Sequence, residues 1–280
     1  MKFIFQILFF IGFCIADYLQ PIGNSELEIL EINGKSREYY ISRGNDLKYE
    51  IKGPKLVVLN ARKPAPKRHN EKINISFTIH LEGSNPIHHY GKNELSNVVY
   101  SKKHPAHTYS KSEKIYINIP NGIYNLNINS DEYPILFRVT TKKKPKRKKT
   151  DSVLSTNCGD PIIITTGNKS KEYSIIQSQK AGIFNLTDEK LLWLYIRGIH
   201  DIDELEPIIL NYNNPINEGF QKIIFYSEPS PISKSKNIGD VIGKLRTFPI
   251  PLSEGFDRLI LENLSDFDVL IHGGIVQNDE

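Results

Sequence analysis

The sequence predicts an all-β protein, two tandem homologous β-sandwich domains joined by a basic linker, and three observations carry that expectation. Segments such as KLVVLNA, INISFTIHL, KIYINIP and GIYNLNIN are short, rich in Ile, Val and Tyr, and mostly alternate apolar with polar residues, the period-two pattern of half-buried strands. Gly, Pro, Asn and Ser separate them at spacings of roughly 8 to 12 residues, which favours a sandwich. No window carries a capped helical period, and Pro recurs in both halves where helices would have to run.

An internal repeat supplies the tandem arrangement. Lys35-Ser36-Arg37-Glu38-Tyr39 aligns with Lys169-Ser170-Lys171-Glu172-Tyr173, placing Leu30 over Ile164 and Ile41 over Ile175. After a one-residue insertion, Tyr49, Ile51, Val58 and Arg62 fall on Phe184, Leu186, Trp193 and Arg197. Ile115, Ile117, Ile119, Gly122, Leu126 and Ile128 then match Phe248, Ile250, Leu252, Gly255, Leu259 and Leu261. Agreement of apolar positions, turn glycines and order over this span points to a tandem duplication of one domain.

Taken in chain order, residues 1–16 read as a signal peptide: Lys2, an apolar run from Phe3 to Phe13, then Cys14 and Ala16 at the small-residue positions before a cleavage site. Acylation of Cys14 is disfavoured by Phe13, which stands where a lipoprotein signal needs a small side chain. The run is short of the about 20 residues that cross a bilayer as a helix, and no later segment is long and apolar enough to span. A secreted or periplasmic protein, associated with the cell surface, is the expectation. The first sandwich occupies 17–140, the basic linker 141–150 and the second sandwich 151–280. The linker TKKKPKRKKT cannot bury apolar surface and repels itself into an extended, solvated strap, so the halves are expected to melt separately once it is cut.

Charge divides the chain. Residues 17–141 carry 17 basic and 13 acidic side chains, residues 142–149 seven basic ones, and residues 150–280 carry 11 basic and 19 acidic. A basic first half, a strap of Lys142, Lys143, Lys144, Lys146, Arg147, Lys148 and Lys149, and an acidic second half would steer an anionic partner or an opposite half. The expected partner is a protein or an anionic glycan at the cell surface; no specific nucleic acid is expected of an exported chain.

Chemistry-bearing motifs are sparse. No nucleophile elbow, His-Glu-x-x-His pair, phosphate-binding glycine loop or calcium-loop pattern occurs. Cys158, alone once the leader is removed, has no neighbouring Cys or His and reads as an ordinary thiol. His88, His89, His104 and His107 bring four imidazoles into one region, but the two loops flank a strand and are expected at its opposite ends. Asp201, Asp203 and Glu204, followed by Glu206, supply hard oxygen ligands for calcium without the standard spacing or turn glycine, and an acidic solvated loop is the simpler reading. No other cofactor is expected. Arg62 and Arg197 each end a strand apolar on both faces. They suit an internal pair with a carboxylate better than a ligand contact. Trp193 reads as core. Asn74, Asn168, Asn185 and Asn263 stand in glycosylation sequons, which matter only in a eukaryotic secretory pathway.

Two function classes follow. The first is a non-catalytic binding or assembly module at the cell envelope. The second is a hydrolase, or its accessory subunit, acting on cell-surface polysaccharide, which requires two carboxylates facing each other across a groove. The layout is similar to that of many bacterial surface and periplasmic modules, a fold-level likeness that assigns no ligand.

Overall fold

The alternation that predicts strands is carried through in three dimensions: along Ile73–Leu81 every odd-numbered residue is buried, while Asn74 and Ser76 are exposed. The computed structural model describes residues 17–67, 71–130, 133–142, 150–186, 191–200, 205–213, 220–235, 238–239 and 241–276. Within them the chain is all-β in several sheets, and no helix is long and apolar enough to cross a membrane. The first half contains β1 (Asp17–Leu19), β2 (Leu27–Ile32), β3 (Lys35–Ser42), β4 (Leu47–Arg62), β5 (Pro64–Pro66), β6 (Ile73–Leu81), β7 (Ile87–Asn93), β8 (Leu95–Ser96), β9 (Val99–Ser101), β10 (His107–Ser110), β11 (Glu113–Asn129) and β12 (Ile135–Lys142). The second contains β13 (Thr150–Val153), β14 (Ile162–Thr166), β15 (Lys169–Ile176), β16 (Ala181–Asn185), β17 (Leu191–His200), β18 (Glu206–Asn213), β19 (Phe220–Ser227), β20 (Ser233–Ser235), β21 (Val241–Ile242), β22 (Arg246–Pro251), β23 (Arg258–Asn263) and β24 (Val269–Val276).

Two long antiparallel strands organise the first half. The first part of β4 pairs with the second part of β11, onto which β6 and then β7 are added; the second part of β4 pairs with β12, and β12 with β3. Both strands turn at one level, where the ladder shifts register between Ile119 and Gly122 opposite Gly53. Leu47, Tyr49 and Ile51 on one side of the turn and Val57, Leu59 and Ala61 on the other then share one core with Ile75, Phe77, Ile79, Ile115 and Ile117. Gly53 is required there. A Cβ at that position would lie 1.7 Å from the Pro120 carbonyl oxygen, a backbone atom that cannot swing aside.

The pairings recur in the second half. β14, β15, β24, β17 and β22 pair in the order of β2, β3, β12, β4 and β11, and β18 and β19 follow β23 as β6 and β7 follow β11. Registers agree as well: Tyr39 faces Glu28 as Tyr173 faces Ile162, Arg62 faces Leu136 as Arg197 faces Leu270, and Val58 faces Tyr116 as Trp193 faces Pro249.

The halves share a sheet. β19 pairs in parallel with β11, Lys222 to Phe225 alongside Ile115 to Asn118. Alternation then sends Ile224 and Tyr226 into the first core, while Ile223 and Phe225 enter a second core with Leu210, Tyr212 and Phe248. Leu56 of the first half is buried in that second core, and the Tyr116 ring packs edge-on against Phe248 at 5.2 Å. One continuous sheet thus carries a core on each face.

Two outcomes are expected. Gly53→Ala should cost at least about 3 kcal/mol in urea denaturation, against about 1 kcal/mol for Gly83→Ala, whose φ of +80° is strained but whose surroundings are open; equal losses would show that the Pro120 contact does not govern the turn. A chain cut between Lys142 and Thr150 should stay associated and unfold in one calorimetric transition, because the β11–β19 ladder and the shared cores survive the cut. This reverses the independence that the sequence alone leads one to expect, and two separate transitions would restore it.

Candidate functional site

Strand alternation leaves the outer face of β6 and β7 polar and open. Asn74, Ser76, Thr78, His88 and Tyr90 lie on it, and with Lys63, Pro64, Lys72 and Tyr133 they line a groove of ≈ 820 Å³. Tyr90 is 75% exposed and Tyr133 56%. Lys63 Nζ sits 4.1 Å from the Tyr133 ring centroid and donates to the Asn74 carbonyl oxygen at 2.9 Å. Thr78 Oγ1 lies 3.1 Å from His88 Nδ1, and Lys72 Nζ is 3.7 Å from Glu94. No carboxylate lines the groove among the described residues. Smaller cavities of ≈ 430 Å³ beside Cys158 and ≈ 270 Å³ beside His80 have one carboxylate each, Asp268 and Asp46.

The arginines that the repeat singles out are buried, Arg62 at 8% and Arg197 at 5% exposure. Arg62 Nε donates to the Tyr39 hydroxyl at 3.3 Å and its Nη1 to the Ser110 carbonyl at 2.6 Å. Arg197 Nε donates to the Tyr173 hydroxyl at 3.4 Å, with Nη1 on the Gly243 carbonyl and Ser233 Oγ and Nη2 on Thr166 Oγ1. Both guanidinium groups therefore bond inside the fold, to tyrosine hydroxyl and carbonyl oxygens where a carboxylate was expected, and neither lines the groove.

Of the strap, Lys142 closes β12, is exposed, and holds its Nζ 5.8 Å from the Tyr116 ring centroid. Lys143, Lys144, Lys146, Arg147, Lys148 and Lys149 lie outside the described residues, as do Asp201, Asp203 and Glu204. Among the described residues no three His, Cys, Asp or Glu side chains gather to hold a metal ion. Of the four histidines, His88 and His89 lie within β7, where a loop was expected, and point to its opposite faces, while His104 stacks on His107 at 5.4 Å and stands 3.5 Å from the buried Glu28 carboxylate. Cys158 Sγ donates to Ser155 Oγ at 3.1 Å, and Trp193 is core. Asn74, Asn168 and Asn185 are exposed, but Asn263 is fully buried, its amide donating to the Ile176 and Phe267 carbonyls.

Sequence reasoning missed the groove. Tyr90 and Tyr133 are far apart in the chain, and only the alternation of β7, with Tyr90 at an outward position, offered a signal.

No protein-family model matches the chain, and no curated protein does. Among solved structures it is similar at 9% identity and a TM-score of 0.25 to the M60 catalytic domain with its CBM51-1 and CBM51-2 domains from Clostridium perfringens ZmpB, over 93% of this chain and 38% of that one. The CBM22-1-CBM22-2 tandem domain of Paenibacillus barcinonensis Xyn10C gives 9% identity and 0.24, over 94% and 97%. The ANX2 ectodomain from Arabidopsis thaliana gives 10% and 0.24, over 94% and 90%. Scores at this level establish no shared topology.

Two buried histidines set a pH dependence. Lys222 Nζ donates to His89 Nδ1 at 3.1 Å across the shared sheet, and burial, with that cation beside it, pulls the imidazole down to about 3. His272, packed among the rings of Tyr173 and Tyr195, is lowered to about 4 by burial and by Lys171. Unfolding returns each to about 6.5, so the unfolded state binds more protons below that pH. Stability should be fully present above pH 6.5 and fall with acid towards pH 4, and His89→Gln or His272→Gln should each flatten the slope by about 1.4 kcal/mol per pH unit. Denaturant melts at stepped pH check this; unchanged slopes would mean the imidazoles are hydrated.

Proposed function

We propose that this chain is an exported, non-catalytic binding module at the cell envelope, built as two homologous β-sandwich units from one duplicated domain, and that the groove on β6 and β7 takes an anionic polysaccharide. One observation carries the ligand reading: two exposed tyrosines and two lysines line the groove, and among the described residues no carboxylate does. Aromatic faces suit the apolar faces of sugar rings, and the lysines suit acidic substituents. The basic balance of residues 17–149 adds a long-range attraction for the same class of ligand. A glycan hydrolase would need paired carboxylates across a groove, and none of the three grooves brings two together among the described residues. Matching registers, and the Arg–Tyr pair found once in each half, support the duplication.

Calorimetric titration with anionic and neutral oligosaccharides tests this reading. Acidic sugars should bind and weaken as salt rises. Tyr90→Ala and Tyr133→Ala should each lower affinity about tenfold, about 1.4 kcal/mol, and Lys63→Gln with Lys72→Gln should flatten the salt dependence. Binding that survives both tyrosine changes would place the ligand elsewhere, and preference for neutral sugars would remove the charge argument.

A further inference from the structure

The junction between the halves is half of a repeating pattern, and both unused halves of that pattern are present in the same chain. β11 offers the edge not taken by β4, and β19 the edge not taken by β18. The counterpart of the first part of β11 is β22, since Trp193 faces Pro249 where Val58 faces Tyr116. The counterpart of β19 is β7, since Ile79 lies between Ile128 and Ile87 as Tyr212 lies between Leu261 and Gln221. Among the described residues β22 pairs only with β17, and β7 only with β6.

We infer that β22 and β7 form a complementary pair of edges that fits a second copy of this chain head to tail, and that Pro249 and Pro251 hold this association off. The backbone directions follow from alternation. On β18, Ile209 accepts from Leu264 N and donates to Ser265 Oγ, both on the side away from β19. Its neighbour Ile224 therefore turns its own N–H and C=O towards β11. The corresponding residue of β7 is Tyr90, which presents its N–H and C=O to the open edge. On β22 the Thr247 carbonyl points away from β17 and accepts from Asn118 Nδ2 at 3.5 Å, so residues 247, 249 and 251 face that side; Asn118 meets it at Thr247, and alongside Pro249 and Pro251 no strand pairs there among the described residues. Prolines at 249 and 251 stand where Tyr116 and Asn118 stand at the internal junction, and neither has an N–H to give.

Proline on an edge strand is a known way of blocking strand addition. Without it, repeating the internal step would make a heterologous, open-ended contact. The charges favour that step, because residues 17–141 carry four more basic than acidic side chains and residues 150–280 eight fewer.

The test restores the residues of β11. The full chain should run as a monomer in size exclusion with light scattering, whereas Pro249→Tyr with Pro251→Asn should form concentration-dependent multiples of one chain mass that dissociate with salt. Adding Tyr90→Pro to that variant should return it to a monomer, yet it should bind the unaltered chain one to one, because the unaltered chain keeps an open β7 and a blocked β22. Pro251→Asn alone, at the exposed end of β22, serves if the double change does not fold. A folded, monomeric variant would overturn the inference, as would oligomers indifferent to Tyr90→Pro or an unaltered chain that already assembles through β22.

Discussion

The parallel ladder between β11 and β19 is the contact on which the rest of the architecture depends. It spans only Ile115 to Asn118 and Lys222 to Phe225, yet it makes one sheet of two, and a sheet buried on both faces needs apolar residues at successive positions. Ile223 to Tyr226 meet that demand, alternately feeding the second and first cores. The same constraint explains Leu56 to Leu59: Val57 and Leu59 face the first core, and Leu56 faces the second. A freestanding sandwich would have turned alternate residues of these strands to water.

Within each half a second device is a buried arginine, Arg62 at the end of β4 and Arg197 inside β17, which runs on to His200 although the sequence suggested that Arg197 ends its strand. A guanidinium buried beside Tyr39 or Tyr173 cannot be left unpaired, since an uncompensated buried charge costs several kcal/mol. Arg62 meets this with a hydroxyl and a carbonyl, Arg197 with four oxygen acceptors. Each arginine lies beside a small apolar cluster, Leu30, Tyr39, Ile41 and Leu136 in one half and Ile164, Tyr173 and Leu270 in the other. That the same donor reaches the same hydroxyl in both halves, although the surrounding acceptors differ, marks this contact as part of the fold.

Much of this was legible because it is local. Alternation announces strands, and the Lys-Ser-x-Glu-Tyr phrase announces matching registers, so Tyr39 and Tyr173 occupy equivalent places on β3 and β15. The long-range features had no such signature. Ile115 to Asn118 and Lys222 to Phe225 look like any other strand segments, and nothing in them specifies a parallel neighbour from the opposite half. The partner of Arg62 was misjudged for a related reason: carboxylates are common in the sequence, but strand register, not abundance, decides which group reaches a buried guanidinium. The groove escaped because Tyr133 and Tyr90 converge only after β12 has paired with β3 and β7 with β6.

The position of the groove follows from the junction. The outer face of β18 and β19 carries Pro207, Ile209, Ile224 and Tyr226, of which Ile209, Ile224 and Tyr226 pack on the first core. Their counterparts on β6 and β7 are Asn74, Ser76, Tyr90 and Lys92, and there Asn74, Ser76, Tyr90 and Lys92 are exposed. The outer face of β18 and β19 is thus apolar where it packs on the first core, and the matching face of β6 and β7 is polar. Tyr90, at this second location, makes no contribution to the first core and stands 75% exposed along the groove with Lys63 and Lys72. The two faces therefore differ by what packs on them: among the described residues the face of β18 and β19 lies against the first core, and the face of β6 and β7 lines the groove.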